Sequence, residues 1–256
     1  MDKKLNDNCK IKISDVPDAY ETGKTKEKKN LLFIGDILVC FSVGKNNNGN
    51  FFVDFSGRDY YVASELAKRY NVYFFSKLPL NDLGNFAVQA MEEKGINTSL
   101  IKRGGNQMGT YYRFNDDSGF CDNQKSSFAC AKTYEFSYDE TLDGIDMVYV
   151  DLATAELTYK TLMFTLKVFK KARERHIKTI LDLRNDGLLD LNIVRLNAER
   201  LLKLTDCIVG RISDYKDYLY FSDDLKEDAY KRLLTGKYGF TEIYIEEDYY
   251  NTVNIL

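Results

Sequence analysis

An aspartate stands one residue beyond an apolar run near the start of the chain. The run covers residues 31–34 (LLFI), Gly35 and Asp36 come next, and a second apolar run begins at Ile37. Apolar residues bounded by a glycine are typical of a buried strand in an α/β sheet. Open α/β sheets bind ligands beyond the carboxyl ends of their strands, which makes Asp36 a candidate ligand contact. The alternative is that Asp36 caps a turn.

Other residues with the chemistry for a site stand near strand ends. Ser56 and Gly57 end a β-type run over 51–55 and precede a helical pattern, so they form a strand, tight turn and helix unit. Asp182 ends the apolar run 179–181. Arg113 lies in a short β-type piece, where a solvated charge is the alternative to a ligand contact.

The elements that position these residues alternate along the chain. Buried strands are predicted near 31–35, 72–75, 147–150, 179–182, 206–209 and 242–245. Helical patterns lie between them, over roughly 156–175, 190–203 and 224–235, with Gly236 ending the last, and a helix with Phe86, Ala87, Ala90 and Met91 on one face precedes Gly95. Strands that alternate with helices of this length indicate parallel βαβ units. The fold class is therefore α/β, a mostly parallel doubly wound sheet flanked by helices.

Two regions depart from this alternation. Residues 1–29 are rich in Lys, Asp and Asn and are predicted to be a flexible extension. Residues 37–55 and 98–130 carry short β-type pieces, such as 99–101 and 110–114, and are predicted to form a small β-sheet beside the main one. Residues 30–256 then make up one α/β domain.

Composition excludes several classes of function. The net charge is −3, from 36 basic and 39 acidic residues, which gives no field for nucleic acid. Apolar runs stay well short of a membrane span, and the N-terminus lacks the apolar core of a secretion signal. The five cysteines are scattered, with no C-x-x-C pair and a single histidine, so neither a metal site nor a disulfide framework is predicted. A reducing cytoplasm is the expected location.

Several short motifs, in order, resemble the ribokinase or PfkB-type carbohydrate kinases, closest to the 2-keto-3-deoxygluconate kinase and fructokinase branch. The resemblance covers about residues 31–250. Its motifs are Gly35-Asp36-Ile37-Leu38-Val39, Ser56-Gly57, Phe75-Ser76-Lys77, Leu83-Gly84, Met91 to Ser99, Gly109-Thr110 and Leu181-Asp182. It implies a ribokinase-like fold whose small β-sheet is a lid over a sugar site, with ATP bound over the C-terminal part.

The family's functional residues are only partly present. Its G-A-G-D segment supplies an anion hole and the catalytic base, and no counterpart exists within these 256 residues. Cys40 replaces the usual aspartate after the first strand. The run Ser56-Gly57-Arg58-Asp59-Tyr60-Tyr61 replaces a G-G-A-x-x-N run, so Arg58, Tyr60 and Tyr61 are expected to put bulk in the sugar site. Asp182-Leu183-Arg184-Asn185 replaces a D-P-N-x-R run.

These departures predict a pseudokinase that lacks the family's C-terminal part and has a binding or regulatory role, with no catalytic residue and no metal site assigned. The alternative is an active ATP-dependent carbohydrate kinase of the 2-keto-3-deoxygluconate or fructose type, truncated in this sequence, which would use Mg-ATP. No cofactor is otherwise predicted. If the protein is an active kinase, Asp182 and Asp214 are the first candidates for the catalytic base.

The predicted ligand is a sugar or sugar acid. The candidate contacts are Asp36, Ser56, Gly57, Arg113 and Lys125. The resemblance also implies pairing of lids, so we expect a homodimer through the lid sheet or an association with another protein. Nucleic-acid and membrane partners are not expected.

Overall fold

The first apolar run forms the strand around which the central sheet is built. A computed structural model of the protein describes residues 27–43, 51–114, 118–183, 191–219 and 226–246. Most of the predicted N-terminal extension, up to residue 26, and the Arg184-Asn185 pair lie outside these ranges. The central sheet has six strands. They are β1 (Asn30–Ile34), β4 (Asn71–Phe75), β9 (Met147–Asp151), β10 (Lys178–Asp182), β11 (Cys207–Arg211) and β12 (Glu242–Glu246). All six are parallel, and their order in the sheet is β12-β11-β10-β9-β1-β4.

The alternation of β1 side chains divides the core into two layers. Leu31 and Phe33 pack on one face with the buried residues of two helices, α1 (Arg58–Leu66) and α2 (Asp82–Glu93). Leu32 and Ile34 pack on the other face with the remaining helices. Those are α3 (Tyr138–Thr141), α4 (Leu152–Ala155), α5 (Tyr159–Glu174), α6 (Leu191–Leu202), α7 (Ile212–Leu219) and α8 (Glu227–Tyr238). A parallel sheet covered on both faces is the predicted architecture, and it is confirmed.

Strand order reverses at β1. The chain passes from β1 to β4 on one side and later returns to β9 on the other, so β4 and β9 are both neighbours of β1. In an open α/β sheet such a reversal leaves a crevice at the carboxyl ends of the two diverging strands. The residues that follow β1 and end β9 are therefore placed where a ligand would bind.

A second sheet accounts for part of the β-rich regions. It has the order β3-β2-β7-β8, built from β2 (Leu38–Val43), β3 (Phe51–Ser56), β7 (Gly109–Phe114) and β8 (Ser118–Asp122). We call this four-stranded sheet the lid. The predicted β-type piece at 99–101 is not a strand, because the chain there forms a turn. Beyond it, β6 (Lys102–Arg103) pairs with β5 (Lys77–Leu78) in a separate small sheet.

The helix predicted over roughly 156–175 is confirmed as α5, which begins at Tyr159 because the Thr158 hydroxyl accepts a hydrogen bond from Thr161 N and forms the N-cap. Two other helix predictions were wrong in detail. Helix α8 continues through Gly236 and ends before Gly239, whose φ of 80° provides the left-handed cap. On α2 the buried residues include Ala87 and Met91, whereas Phe86 is 57% exposed.

No helix in the described ranges is long and apolar enough to cross a membrane.

Replacement of Leu32 by alanine tests the central position of β1. Leu32 is fully buried in the larger core layer, and a buried Leu→Ala change costs about 2–5 kcal/mol because it loses transfer energy and leaves a cavity. We expect a loss of this size in the free energy of unfolding measured by urea denaturation. The control is Leu233→Ala on α8, where the side chain is 55% exposed and the expected change is within about 0.5 kcal/mol. Equal effects at the two positions would contradict a core at β1.

Candidate ligand-binding cleft

A cleft opens at the carboxyl ends of β1 and β9, under one end of the lid. Its volume is about 410 Å³, within the range of about 300–1,000 Å³ that small-molecule sites occupy. The central sheet, the start of α1, the α4 segment and the lid all contribute to its walls. The lining residues are Asp36, Leu38, Gly57, Arg58, Asp59, Phe120, Cys121, Asp122, Asn123, Gln124, Asp151, Ala153, Thr154 and Leu157.

Asp36 lines the cleft and is held at both oxygens. Ile37 N donates to Oδ1 over 3.0 Å, and Ser126 Oγ donates to Oδ2 over 2.9 Å. The side chain is almost fully buried. Burial raises the pKa of Asp36 to about 7, although the Ser126 and Ile37 hydrogen bonds oppose the rise. Asp36 therefore fastens the end of β1 to the loop after the lid while it faces the cleft.

Asp59 lies beside Asp36, in the first turn of α1. Its Oδ2 accepts hydrogen bonds from Asp36 N over 2.8 Å and from Thr154 Oγ1 over 2.7 Å. Its Oδ1 is buried, and the carboxyl groups of Asp59 and Asp151 interact directly. Burial, and then the neighbouring charge of Asp151, raise the pKa of Asp59 well above its ordinary value. Burial and the adjacent Asp151 carboxyl therefore both favour the protonated form of Asp59.

Glycine permits this close approach. A Cβ on Gly35 would stand 2.7 Å from Asp59 Cβ, closer than real Cβ contacts, so a larger residue would push α1 away from β1. Gly57, which precedes α1, has a φ of 113° that side chains rarely adopt. These two glycines set the distance and the angle at which α1 meets the sheet.

Arg58 brings together the acids at the ends of two adjacent strands. Its Nη2 lies 3.7 Å from Asp151 Oδ2 and 3.6 Å from Asp182 Oδ1. Asp151 also accepts a hydrogen bond from Thr154 N over 2.6 Å. Asp182 accepts one from the Tyr149 hydroxyl over 2.6 Å. The guanidinium neutralises two nearly inaccessible carboxylates at once, which buried charges require.

The lid supplies the opposite wall. Phe120, Cys121 and Asp122 from the end of β8 line the cleft, and Asp122 is exposed at its rim. Burial, followed by the charges of Asp36 and Asp122, raises the pKa of the Cys121 thiol to about 11. Cys121 is therefore a neutral thiol at physiological pH, in a negative electrostatic field.

The candidate contacts predicted from sequence do not all meet in the cleft. Asp36 and Gly57 line it together, whereas Ser56 ends β3 outside the lining set. Arg113 is exposed on β7, with its guanidinium 5.9 Å from the centre of the Tyr111 ring. Lys125 is exposed in the loop after β8 and is also outside the lining set.

The two acids considered as a possible base, Asp182 and Asp214, have different contacts. Asp182 is fully buried behind Arg58. Asp214, in the first turn of α7, accepts hydrogen bonds from Arg211 N and Arg211 Nη2 over 2.8 and 2.9 Å. The Asp214 carboxylate thus joins the end of β11 to α7 and is outside the cleft lining.

Two of the three residues expected to add bulk to the sugar site do not reach it. The Tyr60 hydroxyl donates to Ala90 O on α2 over 3.2 Å, and Tyr61 is 49% exposed. The helical turn of α1 carries both rings away from the cleft, and Arg58 alone enters it. Cys40 is buried in β2 and is not among the lining residues.

Sequence reasoning missed two acids of the cleft, Asp59 and Asp151, and the serine that holds Asp36, Ser126. Asp151 ends a buried strand, which is the same signal that selected Asp36 and Asp182, and it was available in the sequence. Asp59 is an acid in the first turn of a helix, a common position that carries no distinctive signal. Ser126 reaches Asp36 across 90 positions of sequence, and no local pattern could have indicated that contact.

In the described ranges, no three His, Cys, Asp or Glu side chains converge into a group that could hold a metal ion.

Comparison with known proteins gives matches in structure only. No protein-family model matches the sequence, and no curated protein matches it significantly. Among solved structures, 2-dehydro-3-deoxygluconokinase from Thermotoga maritima aligns with a TM-score of 0.76 at 24% identity, over 85% of this chain and 72% of that one. A PfkB family carbohydrate kinase from Listeria grayi gives 0.77 at 24% identity, over 85% and 71%. Fructokinase with bound ATP from Xylella fastidiosa gives 0.67 at 16%, over 86% and 69%.

The chain has the ribokinase-like fold of the PfkB-type carbohydrate kinases. The predicted resemblance is thus confirmed at the level of the fold, including the parallel central sheet and the separate lid. At these identities the likeness establishes architecture, and the chemistry of the cleft has to be argued from its own residues.

The buried Asp36 carboxyl predicts a pH dependence of stability. The native protein keeps the Asp36 proton up to about pH 7, whereas the ordinary pKa is 3.8, so the native state binds more protons between these values. The free energy of unfolding should then fall as pH rises from about 4 to about 7. Asp36→Asn should make this dependence shallower, and because the raised pKa of Asp59 acts in the same direction, part of the slope should remain.

Urea denaturation of wild type and Asp36→Asn at about pH 5 and pH 7.5 measures this slope. Asp228→Asn, at an exposed position in the first turn of α8, controls for the loss of one acidic charge and should keep the wild-type dependence. If Asp36→Asn retained the full wild-type slope, the raised pKa would be wrong.

Proposed function

We propose that this ribokinase-fold protein binds a sugar or sugar derivative in its cleft without transferring phosphate to it, in a binding or regulatory role. The position of Arg58 is the main support for this proposal. Its guanidinium lies between Asp151 and Asp182 at the carboxyl edge of the sheet, where this type of sheet receives its ligand. The cationic side chain of Arg58 therefore occupies part of the cleft in which a reaction would take place.

The state of the buried acids supports the same proposal. Phosphoryl transfer to a hydroxyl needs a carboxylate that is ionised and free to approach the hydroxyl proton. Asp36 is held by Ile37 N and Ser126, and Asp59 by Asp36 N and Thr154. Asp151 and Asp182 are engaged by Arg58. Each of these four acids stabilises the cleft and is poorly placed to act as a base.

The second candidate is an active ATP-dependent carbohydrate kinase, of the type that acts on 2-keto-3-deoxygluconate or fructose. The structural neighbours favour it, since their descriptions name 2-dehydro-3-deoxygluconokinase and fructokinase. On this alternative Mg-ATP would be a substrate, and Asp182 or Asp214 would first be examined as the base.

A phosphate-transfer assay separates the two candidates. Protein of residues 1–256, folded by circular dichroism, should transfer no measurable phosphate from Mg-ATP to 2-keto-3-deoxygluconate, fructose or ribose. A base typically contributes about 10²–10⁴-fold to such a transfer, so a cleft whose four acids are engaged by other groups should leave the rate at background. Steady turnover that persists through purification and disappears in Asp182→Asn, while Asp228→Asn retains it, would establish the kinase instead.

We further propose that the protein forms a homodimer through the lid. Val53, Phe41, Tyr112 and Phe120 are aligned across its four strands on one face. The Tyr112 ring lies 5.3 Å from that of Phe41 and 6.0 Å from that of Phe120. Val53 and Phe120 are more than half exposed. A row of exposed apolar side chains on one sheet face favours association with a matching surface.

Substitution of Val53 tests the lid interface. Val53→Lys places a charge at the β3 end of the row, and burial of an unpaired charge in an interface is costly, so we expect a shift from dimer to monomer in sedimentation velocity. Leu233→Lys on α8 is a matched control, because Val53 and Leu233 are each 55% exposed. A monomeric wild type, or a dimer weakened equally by both changes, would exclude the lid as the interface.

We place this function in the cytoplasm. Cys40, Cys121, Cys130 and Cys207 are free thiols, and a reducing compartment keeps such thiols reduced.

A further inference from the structure

A carboxyl group next to the cleft wall is buried without a hydrogen-bond partner. It belongs to Glu156, the residue that ends α4 and precedes α5. Both of its carboxyl oxygens are inaccessible to water, and neither accepts a hydrogen bond from the residues that the structure describes. An ionised carboxylate in this position would lose its hydration and gain nothing in return, so the closed structure favours the neutral acid.

The charged and titratable groups of the adjoining elements do not compensate this burial. These elements are β9, α1, α5 and the loop after the lid, and the groups that they bring nearest in the chain or through hydrogen bonds are Asp59, Lys125, Cys130, Asp151, Tyr159 and Lys160. Burial raises the pKa of Glu156 from 4.5 to about 8, and no described charge adds to the shift or opposes it. The native carboxyl therefore keeps its proton through neutral pH.

The segment that contains this carboxyl joins three parts of the structure. We call residues 154–158 the α4–α5 junction. At one end, Thr154 Oγ1 donates a hydrogen bond to Asp59 on α1 over 2.7 Å. At the other end, Thr158 Oγ1 donates to Ala129 O in the loop after the lid over 2.8 Å. A movement in the middle of the junction therefore acts on both of these bonds.

Few backbone bonds hold the junction in place. Helix α4 has only four residues, and beyond it Glu156 N donates to Leu152 O over 3.0 Å, whereas the bond from Leu157 N to Thr154 O is long, at 3.4 Å. Segments with few such bonds open at a lower free energy than the whole protein. Thr154 and Leu157 line the cleft, so local opening of the junction would change the cleft wall.

We propose that Glu156 makes the α4–α5 junction a pH-sensitive part of the cleft wall, which is closed while the carboxyl keeps its proton and opens as the proton is lost. Opening brings the carboxyl into water, where it ionises with its ordinary pKa of 4.5, whereas the closed junction holds the proton up to about pH 8. Opening thus releases one proton in this window, so the fraction of open junction rises with pH and levels off above it. This inference goes beyond the proposed function, since it requires no bound ligand.

Hydrogen exchange measured by mass spectrometry reports the opening directly. The readout is the protection of a peptide that covers residues 152–162, at about pH 6 and about pH 8, after correction for the intrinsic exchange rate. Release of one proton changes an opening equilibrium by up to about tenfold per pH unit, so we expect the wild type to lose at least about tenfold in protection. Glu156→Gln cannot ionise and should lose most of this dependence.

Two further variants make the result specific. Glu174→Gln is the same chemical change at an exposed position at the other end of α5, and it should keep the wild-type dependence. Glu156→Leu is needed because a buried amide also requires hydrogen-bond partners and can weaken the junction by itself. The leucine variant should be insensitive to pH, and its free energy of unfolding at about pH 8 should exceed that of the wild type.

Each other outcome counts against the inference. Equal protection of the wild-type junction at the two pH values would overturn it, and so would a dependence that survives in both Glu156 variants. A dependence lost equally in Glu174→Gln would show an effect of net charge in place of an effect of the junction. Absence of sugar binding, or transfer of phosphate, would count against the proposed function alone, because exchange is measured without ligand or nucleotide.

Discussion

Four aspartates are buried at the carboxyl edge of the central sheet, and their neutralisation determines the structure of the cleft. An ionised carboxylate that leaves water without a partner is too costly for a folded protein to maintain. Asp151 and Asp182 share the Arg58 guanidinium. Asp36 and Asp59 instead have raised pKa values that favour a bound proton. The Arg58 ion pairs and the hydrogen bonds of Asp36 and Asp59 both join elements that are far apart in the sequence.

The consequence is that the cleft is stabilised by its own acids. Asp59 joins α1 to β1 through Asp36 N and to the α4 segment through Thr154. Ser126 joins β1 to the loop after the lid. A group committed to such contacts is pre-organised for binding but poorly suited to exchange protons with a substrate. This arrangement supports the proposed non-catalytic role.

The architecture and the charge of the cleft have separate origins. Alternating strands and helices in the chain specify the parallel sheet, and the reversal of strand order at β1 creates the crevice. Proteins of the same architecture bind different ligands because the residues at the strand ends differ. In this chain those residues are aspartates whose charge is balanced by Arg58 or reduced by a raised pKa.

The sequence by itself determined the strands that consist of continuous apolar runs. The buried strands at 31–34, 72–75 and 147–150 could be predicted, because four consecutive apolar residues have few other stable environments. The strand-end rule also selected Asp36, which lines the cleft. Helix boundaries were less predictable, since the break before α5 depends on one capping hydroxyl and the end of α8 on the choice between two glycines.

Only the tertiary structure decided which polar residues meet. Arg58 was predicted to add bulk, and the fold gives it two carboxylates from β9 and β10. Arg113 and Lys125 carry the charge expected of ligand contacts, but their strand and loop hold them outside the cleft lining. Local patterns encode burial and period, whereas side-chain partners depend on the register and crossing of elements separated by dozens of residues. That separation is why the sheet could be derived from the sequence and the electrostatics of the cleft could not.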